Sequence, residues 1–237
     1  MSISLNAVTV EPGADGYILT LSGKPLRTPA RNRLVAPSEA MAAAVAAEWR
    51  AQDGTPDPAT MPMTGFLNAA IDRIAGHESA FAHSIVDIAQ NDLLCYRAAR
   101  PESLVTRQTQ LWTPPLDWLA ETHGLRLQTT DGLLPVSQPP VAIRTLANLL
   151  SQESACRLAG IQALASLTRS CVLAMALAAR AIDFEAAWEA AMLDELYGLE
   201  QWGEDAEARA RLDGLRADYD AALAWLALLE VERGQSV

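Results

Sequence analysis

The stretch from Leu158 to Ala181 constrains the fold of this chain more than any other. One face of a helix with about 3.6 residues per turn would carry five of its residues: Ile161, Leu164, Thr168, Cys171 and Met175. Alanines, with Leu173 and Leu177, cover the other faces. A helix that is apolar all round is typical of the centre of a helical bundle. Because Arg169 and Arg180 interrupt the stretch, we expect a buried helix over about 158–181 and not a membrane span.

The rest of the chain beyond residue 62 also favours helices. Beyond Pro140 we expect helices over about 140–152, 184–201 and 205–232. Before it, Thr64 is positioned to cap one helix, and another begins near Glu102. Pro114 and Pro115 are expected to break or kink this second helix. The larger part of the chain is therefore predicted to be α-helical.

The first 35 residues instead alternate in the manner of β-strands separated by tight turns. They predict two hairpins or a small sheet of about three to five strands, and such a sheet is too small to be stable alone. A helix follows, with Ser38 as its N-cap and Trp49 as the structural side chain that holds it to the sheet. Breaker residues from Gly54 to Pro62 mark a linker. The fold class is thus α+β, with a β-rich domain at 1–62 packed on one helix and an α-helical domain at 63–237.

Charge and composition exclude several classes of function. The net charge of −11 argues against nucleic-acid binding and against an anionic membrane surface. Lys24 is the only lysine, and it lies in a turn, which argues against Schiff-base chemistry. The three cysteines are widely spaced and include no CxxC pair, so neither a disulfide framework nor a metal site is indicated. With no targeting signal at the N-terminus, we expect a cytoplasmic protein.

Motifs for catalysis are missing from the sequence. His77 and His83 are six residues apart, which puts them on different faces of a helix, so they do not match the i, i+4 pair of a zinc site. No phosphate-binding loop, GxSxG elbow or GxGxxG motif occurs. We therefore assign no catalytic residue, cofactor or small-molecule substrate. Two alternatives stay open: a hydrolase that uses paired carboxylates, and a helical module that binds a small ligand in an apolar cavity near Trp112 and Trp118.

The segment from Leu193 to Glu207 carries the best candidates for a binding surface. On a helix, Glu195 falls on the same face as Trp188, Met192 and Leu199, where a carboxylate is costly to bury without a donor. Either Glu195 pairs with an arginine such as Arg169 or Arg180, or this face is kept for a partner. Trp202-Gly203 then interrupts the helix, and Trp is over-represented among binding hot spots. The acids that follow, including Glu204 and Asp205, would also stabilise the start of the next helix.

Motifs spread along most of the chain carry a resemblance to a known family, the assembly chaperones of the F1 part of ATP synthase. In chain order they are Asp15-Gly16, Pro25–Pro29, Leu34–Pro37, Glu48–Gln52, Met61–Met63, Asn68–Asp72, Asp92–Arg97, Gln108, Trp112, Pro114, Trp118, Glu195 and Trp202–Glu207. Their order and spacing together are specific, although no single motif decides the matter.

This resemblance implies an assembly chaperone that works without ATP, cofactor or catalysis. It would bind the F1 alpha subunit and protect it before pairing with the beta subunit. The partner-binding residues would be Glu195, Trp202, Gly203, Glu204 and Asp205, with Trp49, Trp112 and Trp118 in structural roles. The sequence departs from the family at Gly198, where glutamine is expected, and at Arg169-Ser170, where the family has lysine and serine.

Overall fold

The computed structural model describes residues 7–131, 136–203 and 206–233. The strands are β1 (Val8–Gly13), β2 (Gly16–Leu21), β3 (Lys24–Pro25), β4 (Val35–Ala36), β5 (Tyr96–Arg97) and β6 (Thr130–Asp131). The helices are α1 (Glu39–Arg50), α2 (Pro62–Ala69), α3 (Glu78–Ala89), α4 (Glu102–His123), α5 (Pro140–Leu150), α6 (Ala155–Thr168), α7 (Cys171–Ala178), α8 (Phe184–Trp202) and α9 (Ala206–Arg233). The predicted α+β class is confirmed.

The N-terminal strands form the predicted small sheet. β1 and β2 are an antiparallel hairpin with Val8 opposite Leu21, and β2 also pairs with β3 and β4. The hairpin turn requires Gly16, which has a φ of +132° and would place a Cβ atom 2.4 Å from the carbonyl oxygen of Ala36. The backbones of β2 and β4 can lie this close together only because glycine has no side chain.

Helix α1 covers this sheet, as predicted. The hydroxyl of Ser38 accepts a hydrogen bond from the backbone N–H of Met41 at 3.2 Å, which confirms Ser38 as the N-cap. At the other end, the guanidinium of Arg50 donates two hydrogen bonds, of 2.9 and 2.7 Å, to the carbonyl of Val8 in β1. Trp49 is half-buried, and its Nε1 is buried without a hydrogen-bond partner among the described residues.

The start of α2 is capped by a residue from α1 and not by Thr64, so that prediction is wrong. The carboxylate of Glu48 accepts hydrogen bonds from the N–H groups of Met63 and Thr64, at 2.6 and 2.7 Å. It also accepts one from the Thr64 hydroxyl. A carboxylate is a stronger cap than a hydroxyl because it also complements the positive end of the helix dipole.

The apolar stretch at 158–181 forms two helices, so the prediction of one continuous helix is wrong. Arg169, between α6 and α7, has a φ of +55°. The N–H groups exposed by this break are satisfied by Ser170, which accepts from Leu173, and by the buried carboxylate of Asp92, which accepts from Val172. The expected burial is observed nevertheless, because every residue of α7 is buried.

Of the break or kink predicted at Pro114-Pro115, the break does not occur, because α4 runs through both prolines. Proline removes hydrogen bonds from a helix interior, but tertiary packing holds this helix together. Trp112, which is fully buried, donates from Nε1 to the carbonyl of Ala190 in α8 at 2.8 Å.

Two compact units make up the structure. One is formed from segments within Met1–Glu78, Ser154–Gly160 and Ala221–Val237, and the other from segments within Ser79–Glu153 and Ile161–Asp220. The predicted domain boundary at 62/63 stays a prediction.

Candidate functional site

The second unit contains a groove of about 770 Å³ between α4, α8 and the segment that joins β5 to α4. Its lining is Tyr96, Arg97, Ala98, Ala99, Arg100, Pro101, Leu104, Gln108, Asp194, Tyr197, Gly198, Gln201 and Trp202. Carbon atoms dominate this surface. The volume lies in the range of sites that bind small molecules or peptide side chains.

One buried side chain, Gln108 of α4, fixes the walls of the groove. Its Oε1 accepts a hydrogen bond from the N–H of Ala98 at 2.7 Å, and its Nε2 donates to Asp194 Oδ1 of α8 at 3.0 Å. A buried amide is costly unless its donors and acceptors are paired, and here both ends of the side chain are. Gln108 therefore holds the β5–α4 segment and α8 at a fixed separation.

The guanidinium of Arg97 also stabilises the β5–α4 side of the groove. It donates from Nε to the carbonyl of Leu94 at 2.8 Å and from Nη1 to the carbonyl of Gln108 at 3.0 Å. It also lies 5.5 Å from the ring centre of Trp112. Burial lowers the pKa of Arg97. Because its donors are directed at backbone carbonyls, Arg97 has a structural role.

Trp202 forms the rim of the groove as the last residue of α8. It is 86 % exposed, an unusual environment for so large an apolar side chain. Its ring folds back over Gly198, one turn earlier, where an added Cβ would lie 3.3 Å from the ring. Gly203, with a φ of +91°, then caps the helix by donating its N–H to the carbonyl of Leu199.

Two contacts tie this end of α8 to α4 along the outer side of the groove. The hydroxyls of Ser103 and Tyr197 are hydrogen bonded at 2.7 Å. Arg107 makes a forked contact with the carboxylate of Glu200, at 2.9 and 2.8 Å, and the pKa of Arg107 is raised by this hydrogen bond. The position of Trp202 is therefore set by α4 as well as by its own helix.

Glu195 is paired with arginines and does not line the groove. Its Oε1 lies 3.4 Å from Nη2 of Arg211 in α9 and 4.0 Å from Nη2 of Arg169. Its Oε2 is buried and has no hydrogen-bond partner among the described residues. Of the two alternatives left open by the sequence, an arginine contact is present; Arg169 was anticipated as a partner, whereas Arg211 was not.

The other residues singled out in the sequence fall into different places. Trp202 and Gly203 lie at the groove rim, whereas Glu204 and Asp205 lie outside the described residues. Trp112 is in the core, and Trp118 is half-buried with its ring edge-to-face to His123, at a centroid distance of 5.4 Å.

The sequence reasoning missed most of the α8 wall. Asp194, Tyr197, Gly198 and Gln201 recur at the i, i+3, i+4, i+7 spacing of a single helix face. The spacing alone would have placed these four residues on one helix face. Because they are a mixture of polar and apolar types, they do not form the apolar stripe that marks a helix face in a sequence.

The groove offers little for catalysis or metal binding. Among the lining residues that the structure describes, Asp194 is the one carboxylate, and it is engaged by Gln108. Over the described parts of the chain, no group of three or more His, Cys, Asp or Glu side chains is placed to hold a metal ion. Within those same ranges, no helix is both long and apolar enough to cross a membrane.

Similarity to known proteins extends over nearly the whole chain. Residues 5–120 match the family model described as ATP12 chaperone protein. The crystal structure of Atp12 from Paracoccus denitrificans is similar over 94 % of this chain and 95 % of that one, with 34 % identity and a TM-score of 0.86. A candidate chaperone from Agrobacterium tumefaciens is 42 % identical over 94 % of this chain and 84 % of that one, with a TM-score of 0.88.

Proposed function

Because this chain belongs to the ATP12 chaperone protein family, we propose that it binds the F1 alpha subunit of ATP synthase and protects it until the beta subunit pairs with it. The protein acts in the cytoplasm as a binding chaperone, without ATP and without catalysis. Family membership over almost the full chain is the observation that carries this proposal.

The groove and its rim supply a surface suited to this task. A newly made subunit exposes apolar surface that its neighbour will later cover, and such surface promotes aggregation. A groove dominated by carbon atoms, with Trp202 at its edge, covers surface of that kind. The net charge of −11 on this chain keeps the complex soluble until the beta subunit binds.

Within this surface the predicted binding residues have different roles. Trp202 contacts the partner directly, and Gly203 ends α8 so that the indole stands at the rim. Glu204 and Asp205, which lie outside the described residues, remain predicted partner-binding residues by their place in the sequence. Glu195 acts one step removed, by joining α8 to Arg211 and Arg169.

Co-expression with the F1 alpha subunit tests the proposal. The fraction of alpha subunit in the soluble lysate should rise, and a tagged chaperone should retain alpha, but not beta, in a pull-down. If soluble alpha does not increase and alpha is not retained, the proposal is wrong.

A pair of variants tests the surface. Trp202→Ala should reduce alpha retention, whereas Phe184→Ala, which truncates another exposed aromatic side chain (40 % exposed), should not. Circular dichroism of both variants should match the parent protein. Equal retention by the two folded variants would remove Trp202 from the binding surface.

A further inference from the structure

We propose that the groove binds an extended, mostly apolar segment of the partner that carries an acidic side chain, and that this segment hydrogen-bonds to the backbone at Ala99 and Arg100. This inference rests on the proposed function and specifies what part of the partner the chaperone holds. Its three supports are unpaired backbone groups, an apolar wall and an unpaired cation.

The first support is the backbone between β5 and α4. β5 pairs with β6 on one side, and the N–H of Ala98 is taken by Gln108. The backbone groups of Ala99 and Arg100 make no hydrogen bond to any residue that the structure describes, and both residues are exposed in the groove wall. Unpaired backbone beside a strand is a template for an added strand.

The second support is the apolar part of the groove lining. Pro101 directly precedes α4 and Leu104 lies in its first turn, while Tyr197 and Trp202 belong to α8. An extended peptide directs alternate side chains to one face, so a segment lying along Ala99–Arg100 can place every second side chain between these walls. The groove volume of about 770 Å³ accommodates more than one such side chain.

The third support is charge. The other groove cation, Arg97, is directed at backbone carbonyls, and the groove carboxylate of Asp194 accepts from Gln108. Arg100 is exposed and forms no ion pair within the described residues. An unpaired cation at the mouth of a groove favours a segment with a carboxylate over one with an amine.

Fluorescence anisotropy with the full chain tests the proposal directly. The first probe is a fluorescein-labelled peptide of alternating valine and leucine, flanked by serine, with one central aspartate. A second peptide has lysine in place of the aspartate. A third has the sequence of the first, with alternate backbone amides N-methylated. We expect the aspartate peptide to bind about fivefold more tightly than the lysine peptide, because a single exposed ion pair changes affinity by about that factor. N-methylation should weaken binding by about tenfold or more, since it removes more than one hydrogen bond.

Two charge reversals provide the matched control. Arg100→Glu should abolish or invert the preference for aspartate over lysine. Arg144→Glu, at an exposed arginine of α5 outside the groove, should preserve that preference. If both reversals behave alike, or if the N-methylated peptide binds as well as its parent, the proposal is wrong.

Parallel pull-downs of the alpha subunit separate this inference from the proposed function. Retention of alpha without binding of any peptide would overturn the groove proposal and leave the chaperone function standing. Peptide binding that needs Arg100, without retention of alpha, would support the groove and overturn the choice of partner. A dimer in sedimentation that Trp202→Ala dissociates would assign the groove to a second copy of this chain and overturn the proposal.

Discussion

Replacing Asp92 by asparagine should change how the stability of this protein depends on pH. Asp92 is fully buried, and its carboxylate accepts hydrogen bonds from the N–H groups of Leu94 and Val172, each at 3.2 Å. Burial raises the pKa of Asp92 from 3.8 to about 6, and hydrogen bonds, including one from Ser170, oppose the rise only in part. The carboxyl therefore binds its proton more tightly in the folded chain than in the unfolded chain.

The sign of the effect follows from this difference. The contribution of Asp92 is most favourable at low pH, where both states are protonated, and it declines as pH rises from the unfolded pKa of 3.8 through the folded value of about 6. A difference of about 2 pKa units corresponds to about 3 kcal/mol over the whole range. Between about pH 5 and about pH 7 the loss should be about 1 kcal/mol.

Urea unfolding of the parent and the Asp92→Asn variant at these two pH values gives the measurement. The free energy of unfolding of the parent minus that of the variant should fall by about 1 kcal/mol as pH rises, because other titrating groups contribute equally to both proteins. Asp117→Asn, which alters an exposed carboxylate of α4, should show no such fall when it is compared with the parent in the same way. A difference between the parent and the Asp92→Asn variant that stays constant or grows with pH would refute the reasoning.

Three further substitutions should have effects that differ in size because their surroundings differ. Gly160→Ala would place a Cβ atom 2.7 Å from a methyl group of Leu226, and should destabilise the protein by about 1 to 3 kcal/mol in urea unfolding; an unchanged midpoint would contradict this. Trp112→Phe removes a buried donor and leaves a cavity, and should cost about 2 kcal/mol; a loss confined to near-UV circular dichroism would count against it. Glu195→Gln should cost less than about 1 kcal/mol, because Arg211 is 54 % exposed, and high salt should reduce this loss; a salt-independent loss would argue for a hydrogen bond instead.

The parts of the fold that could be predicted from the sequence are those set by local interactions. Ser38 lies three residues before the N–H group that it caps, and alternating residues with glycine turns specify β1 and β2. The resemblance to F1-ATPase assembly chaperones is confirmed, and it depended on the order and spacing of short motifs along the chain.

The parts that could not be predicted depend on partners distant in sequence. The break after Thr168 is stabilised by Asp92, 80 residues before the Val172 N–H group that it accepts from. Likewise, Gln108 belongs to no distinctive pattern on its own helix and acquires its role by bridging to Asp194, 86 residues later. Pairs so distant in sequence leave no local pattern, so the groove could be recognised only in the three-dimensional structure.

The segmented construction of the first unit sets an order for its maturation during protein synthesis. Phe66 stacks on Trp225 with ring centres 5.5 Å apart, and the Trp225 indole donates to the carbonyl of Cys156 at 2.7 Å. The ribosome makes Phe66 159 residues before Trp225, so this packing waits until Trp225 has left the exit tunnel. A nascent chain stalled before Trp225 would therefore leave the ring of Phe66 without its aromatic partner.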